Sequence, residues 1–117
     1  MSGLLIAVVG VCASGKTTLA DALRARGYNA RQVGQEHSYV PDMWRRITRP
    51  DLLIYLDAGL ETIRRRRQDP EWPASLLAVQ RARLRHARHH CDLYVKTDDL
   101  TPEEVLAQSL TWLREHS

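Results

Sequence analysis

The densest chemistry in this chain lies in one short stretch, Gly10-Val11-Cys12-Ala13-Ser14-Gly15-Lys16-Thr17. Its residues satisfy the pattern G-x-x-x-x-G-K-[ST], the Walker A loop. Glycines at both ends let the backbone curl until successive N–H groups converge on one point, a nest for a phosphate. A helix beginning at Lys16 would add the positive end of its dipole. In that setting Lys16 bridges the β- and γ-phosphates of a nucleotide, and the hydroxyl of Thr17 ligates Mg2+. A glycine-rich turn with a stray lysine is the bland alternative. The pattern together with its flanks, an apolar run before and a helical pattern after, argues against it.

Chemistry of this kind also needs a carboxylate that holds the metal, usually through water. Asp57 closes an apolar run and would face the phosphates if that run lies beside the first strand. Glu36 is the second candidate, as metal partner or as base, and a solvated loop acid is its alternative reading. Asp42 is the third.

Four other features invite a chemical reading. His86, His89, His90 and Cys91 share helical spacing suited to a metal, but no second ligand cluster accompanies them, so an exposed basic helix end is expected. Arg64 to Arg67 could meet nucleic acid, yet there is no aromatic interleaving and no reader motif, and some members of a helical run of four must face solvent. Trp44 and Tyr39 could stack on a ring in an acceptor pocket, and packing over the sheet is the simpler role. Cys12 sits near a helix N-terminus, which can activate a thiol; a small filler in the loop is the plainer account.

The elements that must position these groups follow from hydrophobic spacing. Leu4–Val9 is a continuous apolar run with β-branched members and reads as a strand covered on both faces. Lys16–Arg26 reads as a helix stopped by Gly27. Asn29–Val33 is a short strand, and a short helix around Met43, Trp44 and Ile47 falls within Gln35–Pro50. Leu52–Leu56 is a strand, Leu60–Arg67 a helix, Asp69–Pro73 a turn and Ala74–His90 one long helix. Leu93–Val95 is a further strand. Pro102–Arg114 closes as a helix with Thr101 as N-cap and Glu104 three residues on. Strands alternating with helices predict an α/β fold, a three-layer α/β/α sandwich on a parallel sheet of four strands.

Composition agrees with one folded domain. The chain has 117 residues, 44% apolar and 26% charged, with a net charge of +3. That excludes disordered, collagen-like and disulfide-rich classes. No apolar run is long enough to span a membrane. The opening run is too short for a secretory leader and lacks basic residues before it. Two cysteines without a framework pattern predict a cytoplasmic location. Lys16 and Lys96 are the only lysines among 17 cationic side chains. The predominance of arginine points to an anionic partner, a phosphate ester before nucleic acid.

The stretch from Gly10 to Ala20 resembles the start of the small P-loop kinases, the shikimate, gluconate, nucleoside and adenylate kinase group. Pro50 to Arg64 is similar to their fourth strand and the helix leading to their lid. Cys91 to Val105 is similar to their last strand and helix. The resemblance implies the fold of the P-loop containing nucleoside triphosphate hydrolases. It implies an ATP site at Gly10, Cys12, Ala13, Ser14, Gly15, Lys16, Thr17 and Thr18, with Mg2+ on Thr17. It also implies a mobile lid between Arg64 and Arg83, with Arg67 and Arg83 reaching the transferred phosphate, and adenine contacts near Asp98 to Leu100. In this group the aspartate at the position of Asp57 normally caps the next helix. Only Gln35 to Pro50 stands where these kinases carry a third strand and a substrate segment, and Gln35-Glu36-His37 replaces their acidic pair.

The expected activity is transfer of the γ-phosphate of ATP to a hydroxyl of a small-molecule acceptor, with Lys16, Glu36 or Asp57, Arg67 and Arg83 as its catalytic residues. A non-catalytic nucleotide-binding module and a slow NTPase remain open beside it. So does pairing of an uncovered sheet edge with a second copy.

Overall fold

The computed structural model describes residues 3–116. Four strands, β1 (Leu5–Gly10), β2 (Asn29–Gln32), β3 (Leu52–Asp57) and β4 (Leu93–Lys96), form one sheet in the order β2-β1-β3-β4. All three pairings are parallel, and Gly10 lies opposite Leu56 while Asp57 lies opposite Lys96. The C-terminal ends of β1, β3 and β4 therefore meet at one edge of the molecule, where ligands gather in open parallel sheets.

Helices cover both faces, as the unbroken apolar runs require. Ile6 and Val8 of β1 and Ile54 and Leu56 of β3 pack against α1 (Lys16–Ala25) and α6 (Pro102–His116), through Leu19, Leu23, Val105, Leu110 and Leu113. Ala7, Val9, Leu53 and Tyr55 face the opposite layer. That layer holds α2 (Met43–Ile47), α3 (Leu60–Arg67), α4 (Ala74–Arg83) and α5 (Arg85–His90). Trp44, Ile63, Leu77 and Ala87 are their buried contributions.

Two aspartates set the strand register. Asp51 accepts from the Leu5 amide at 2.8 Å and Asp92 from the Leu53 amide at 2.8 Å. Each lies just before a strand and joins it to its neighbour. The box expected at the start of α6 is formed: the Thr101 amide donates to Glu104 at 2.8 Å, and the Glu104 amide to the Thr101 hydroxyl at 3.1 Å.

The structure departs from the sequence reading in two places. The helix expected over Ala74–His90 is two helices, broken at Leu84, which is fully buried. Helical spacing persists across the break, so periodicity alone could not reveal it. A 3-10 turn, Gln35–His37, also precedes α2. Among the described residues no helix is long and apolar enough to cross a membrane.

Candidate functional site

The loop after β1 is tightly bent. A side chain on Gly10 would collide with the Leu56 carbonyl oxygen of the adjacent strand, so the close pairing of β1 and β3 at this point demands glycine. Gly15 sits at φ +102, where other residues are strained, and Ala13 also takes the left-handed region at φ 59. Among the described residues no side chain caps α1. Its first-turn N–H groups lack intrahelical partners by construction and face the loop's concavity, a ready anion site.

Lys16 is buried, 8% exposed, at this helix start. Its ammonium donates to the Val11 carbonyl at 2.9 Å and pairs with Glu36 Oε2 at 3.0 Å. Glu36 is 4% exposed, and its second oxygen, Oε1, is buried with no hydrogen-bond partner. An unpartnered buried carboxylate oxygen is costly, so this atom awaits a donor. Cys12, Ala13, Gly15, Lys16, Thr17, Thr18, Gln32 and Glu36 line a hollow of about 290 Å³. The structure thus brings together Lys16, Thr17, Thr18 and Glu36.

Asp57 stands apart from this group. Its Oδ1 accepts from the Ala58 amide at 2.9 Å and from Arg81 at 3.2 Å, and Oδ2 accepts from the Tyr94 hydroxyl at 2.7 Å. Burial and the Asp57 contact push the Tyr94 phenol up to about 12. Both oxygens expected to face the phosphates are engaged elsewhere. Nor does Asp57 cap the following helix. The carboxylate beside that helix start is Asp98, which accepts from the Gly59 amide at 2.8 Å and the Thr62 hydroxyl at 2.6 Å. Burial raises the Asp98 pKa, but these bonds outweigh it and leave the carboxyl below its usual range. Asp42 is paired with Arg46 at 2.7 Å and Arg45 at 3.2 Å, and chiefly Arg46 holds it below the ordinary carboxylate range.

The arginine run is more ordered than its sequence suggests. Arg64 donates to the Trp72 carbonyl at 2.9 Å and Arg67 to the Cys12 sulfur at 3.0 Å. Arg66 donates to Ala13 O at 2.9 Å, Thr97 Oγ1 at 3.0 Å and Thr97 O at 2.6 Å. The Thr97 hydroxyl in turn reaches Ser14 O at 3.1 Å. Three of the four arginines are thus bonded within the fold, two of them to the loop, although Arg66 and Arg67 remain exposed. Arg83 lies on the other side, donating to the Glu36 carbonyl at 3.4 Å with its guanidinium 4.5 Å from the Tyr39 ring centroid. Trp44 is buried as expected, whereas Tyr39 is 88% exposed and packs over no sheet. The segment expected as a lid is pinned to the core by Trp72 and Leu77.

A second cleft, of about 470 Å³, opens on the far side of the loop between Ala13, Gly15, Arg66, Leu100, Pro102 and Val105. Its lining is largely apolar, and Arg66 adds a planar cation of a kind suited to an aromatic ring. Leu100 falls in the stretch expected to meet adenine, while Asp98 turns away to α3.

Gln80, Arg66 and Thr97 escaped the sequence reading. Arg66 was hidden inside a run of identical residues, and nothing local to Gln80 or Thr97 announces a contact across the fold. The histidines form a stack. His86 and His90 ring centroids lie 4.2 Å apart, and Trp44 Nε1 donates to His86 Nδ1 at 3.2 Å. Among the described residues no three His, Cys, Asp or Glu side chains could hold a metal ion. Compared by sequence, the chain matches no protein-family model and no curated protein.

Proposed function

We propose that this chain is a P-loop protein of the small-molecule kinase type, which binds MgATP and passes its γ-phosphoryl group to an acceptor hydroxyl. The observation that carries the reading is the Lys16 ammonium. It is buried in the mouth of a loop bent through Ala13 and Gly15, at an uncapped helix start, with Glu36 as its only carboxylate neighbour among the described residues. A triphosphate would replace part of its contact with Glu36.

The loop amides and Lys16 would hold the β- and γ-phosphates, and the cleft lined by Arg66 would take the base. Thr17 and Glu36 suit Mg2+, because an ion held mainly by phosphate oxygens and water needs no all-protein cage, and Glu36 Oε1 is an acceptor without a donor. When bound, that ion offsets phosphate charge. Glu36 orients the acceptor hydroxyl and takes its proton as the new O–P bond forms. The bond to the β–γ bridging oxygen breaks, and ADP leaves with the electron pair. Arg67 and Arg83 spread the charge of the group in transit. The free thiols of Cys12 and Cys91 suit a reducing cytoplasm.

Calorimetry with MgATP tests the reading: binding in the micromolar to millimolar range is expected, with none in Lys16→Ala. Equal binding in that variant would defeat it. One observation favours a second reading, a nucleotide-binding module without turnover. Tyr39 stands exposed beside Glu36 and encloses no acceptor. Labelled ATP with a panel of sugars, nucleosides and hydroxy acids separates the two: transfer to any of them identifies a kinase, and retention without turnover identifies a binder.

A further inference from the structure

Gln80 is an anomaly in α4. It is 2% exposed, set among the apolar residues beneath the sheet, where a side-chain amide is costly unless bonded. Its Oε1 accepts the Cys12 amide at 2.9 Å, 68 residues away in sequence. Other clamps hold the loop by accepting nothing from it: Arg66 and Thr97 donate to its carbonyls, and Arg67 to its thiol. Gln80 alone among them takes one of the loop's N–H groups.

That N–H belongs to the Val11–Cys12 peptide unit. The other end of the same unit is the Val11 carbonyl, which accepts from Lys16 Nζ at 2.9 Å and from the Ser14 amide at 3.2 Å. A trans peptide is a rigid plane whose N–H and C=O point in opposite directions. Anchoring one end therefore aims the other. With the N–H held in the core by Gln80, the carbonyl is aimed at the Lys16 ammonium and holds it beside the hollow. Were the plane free to rotate, Lys16 would keep only Glu36.

We propose that Gln80 is a positioning residue for Lys16, acting through the Val11–Cys12 peptide plane to hold the loop in its phosphate-receiving shape. The role rests on the triphosphate reading above and adds to it a residue outside the motif. It follows the logic of preorganisation: a loop already shaped for its ligand loses less freedom on binding. It also ties α4, which carries Arg81 and Arg83, to the loop.

The test uses the full chain, inorganic tripolyphosphate with Mg2+ as probe, and two substitutions. Gln80→Met keeps the length and apolar body but no strong acceptor. Gln80→Glu keeps an acceptor oxygen at the same reach. Gln80→Met should weaken tripolyphosphate binding about 5-fold, the worth of one neutral hydrogen bond, with the fold intact by circular dichroism. Amide hydrogen exchange at Cys12 should quicken in Gln80→Met and return towards the parent rate in Gln80→Glu, a rescue that packing alone would not produce. If the parent binds tripolyphosphate and Gln80→Met binds it equally, Gln80 merely fills space and the proposal falls alone. Equally fast Cys12 exchange in both variants overturns it too. A parent chain that ignores tripolyphosphate defeats the triphosphate reading and this role with it.

Discussion

Replacing Glu36 with glutamine separates what the Lys16 contact does for folding from what it does for chemistry. The two charged atoms lie 3.0 Å apart and both side chains are nearly buried. At an effective dielectric constant of about 20 their attraction is roughly 5 kcal/mol. Desolvation offsets most of that, and the net loss on removing one partner of a buried pair is about 3–5 kcal/mol. Glutamine keeps the shape and one acceptor oxygen, so the lower end, about 3 kcal/mol, applies to Glu36→Gln. A domain of this length holds on the order of 6–17 kcal/mol in total, so the variant still folds. Its melting temperature should fall by about 12 °C, at roughly 4 °C per kcal/mol. Calorimetric melting without nucleotide reads this directly. Binding should move the other way. An incoming triphosphate must share Lys16 with Glu36, so the variant should bind metal-free ATP at least as tightly as the parent. Phosphoryl transfer should drop about 100-fold or more, because the general base is gone. A variant that melts within about 2 °C of the parent and binds ATP no differently would refute the reasoning, since the pair would then hold neither the fold nor the ammonium.

Three further outcomes follow from the same geometry. Gly10→Ala forces a methyl group against the Leu56 carbonyl, and neither backbone can yield without disturbing the β1–β3 pairing. It should cost about 1–3 kcal/mol or more and lower the melting temperature accordingly; an unchanged melt would contradict the close approach. Arg66→Ala removes the cation from the lining of the larger cleft, so ATP affinity should fall about 5-fold more than tripolyphosphate affinity. Equal losses for both ligands would show that Arg66 serves the loop and not the base. The third concerns pH. Burial, then His90 and Arg45, hold the His86 pKa below its ordinary value of 6.5. The unfolded chain therefore takes up this proton first as pH falls. The stability supplied by neutral His86 is complete above about 6.5 and is lost as pH drops through the folded-state value. Protonation also removes the acceptor for Trp44 Nε1. In a Trp112→Phe background, needed because Trp112 stacks on His116, and with buried Trp72 as a constant background, Trp44 fluorescence should titrate below pH 6.5 and stay flat in His86→Gln. A titration that persists in His86→Gln would remove His86 as its source.

The alternation of strands and helices, the sheet's parallel sense and the glycine loop were all legible from residue order. The elements and the loop depend on interactions only a few positions apart, and the parallel sense follows from their alternation. A continuous apolar run needs cover on both faces, glycines bend a chain, and Thr101 with Glu104 starts a helix wherever they occur. The same locality explains what was hidden. The choice among Asp57, Glu36 and Asp42 could not be made from spacing, because each carboxylate is defined by what meets it. Arg81 and Tyr94 take Asp57, Arg45 and Arg46 take Asp42, and Glu36 keeps Lys16 and the His37 ring on one oxygen and an idle second oxygen.

The chain order thus determined that a tightly bent glycine loop leading into a helix would follow the first strand, because backbone curvature and helix polarity are short-range properties. Only tertiary packing decided which side chains attend that loop. Gln80, Arg66 and Thr97 reach it from 53 to 83 residues away, brought there by the order of strands and by the break at Leu84. Hydrogen bonds extend about 3 Å, and no pattern along a chain encodes a distance that short between segments so far apart.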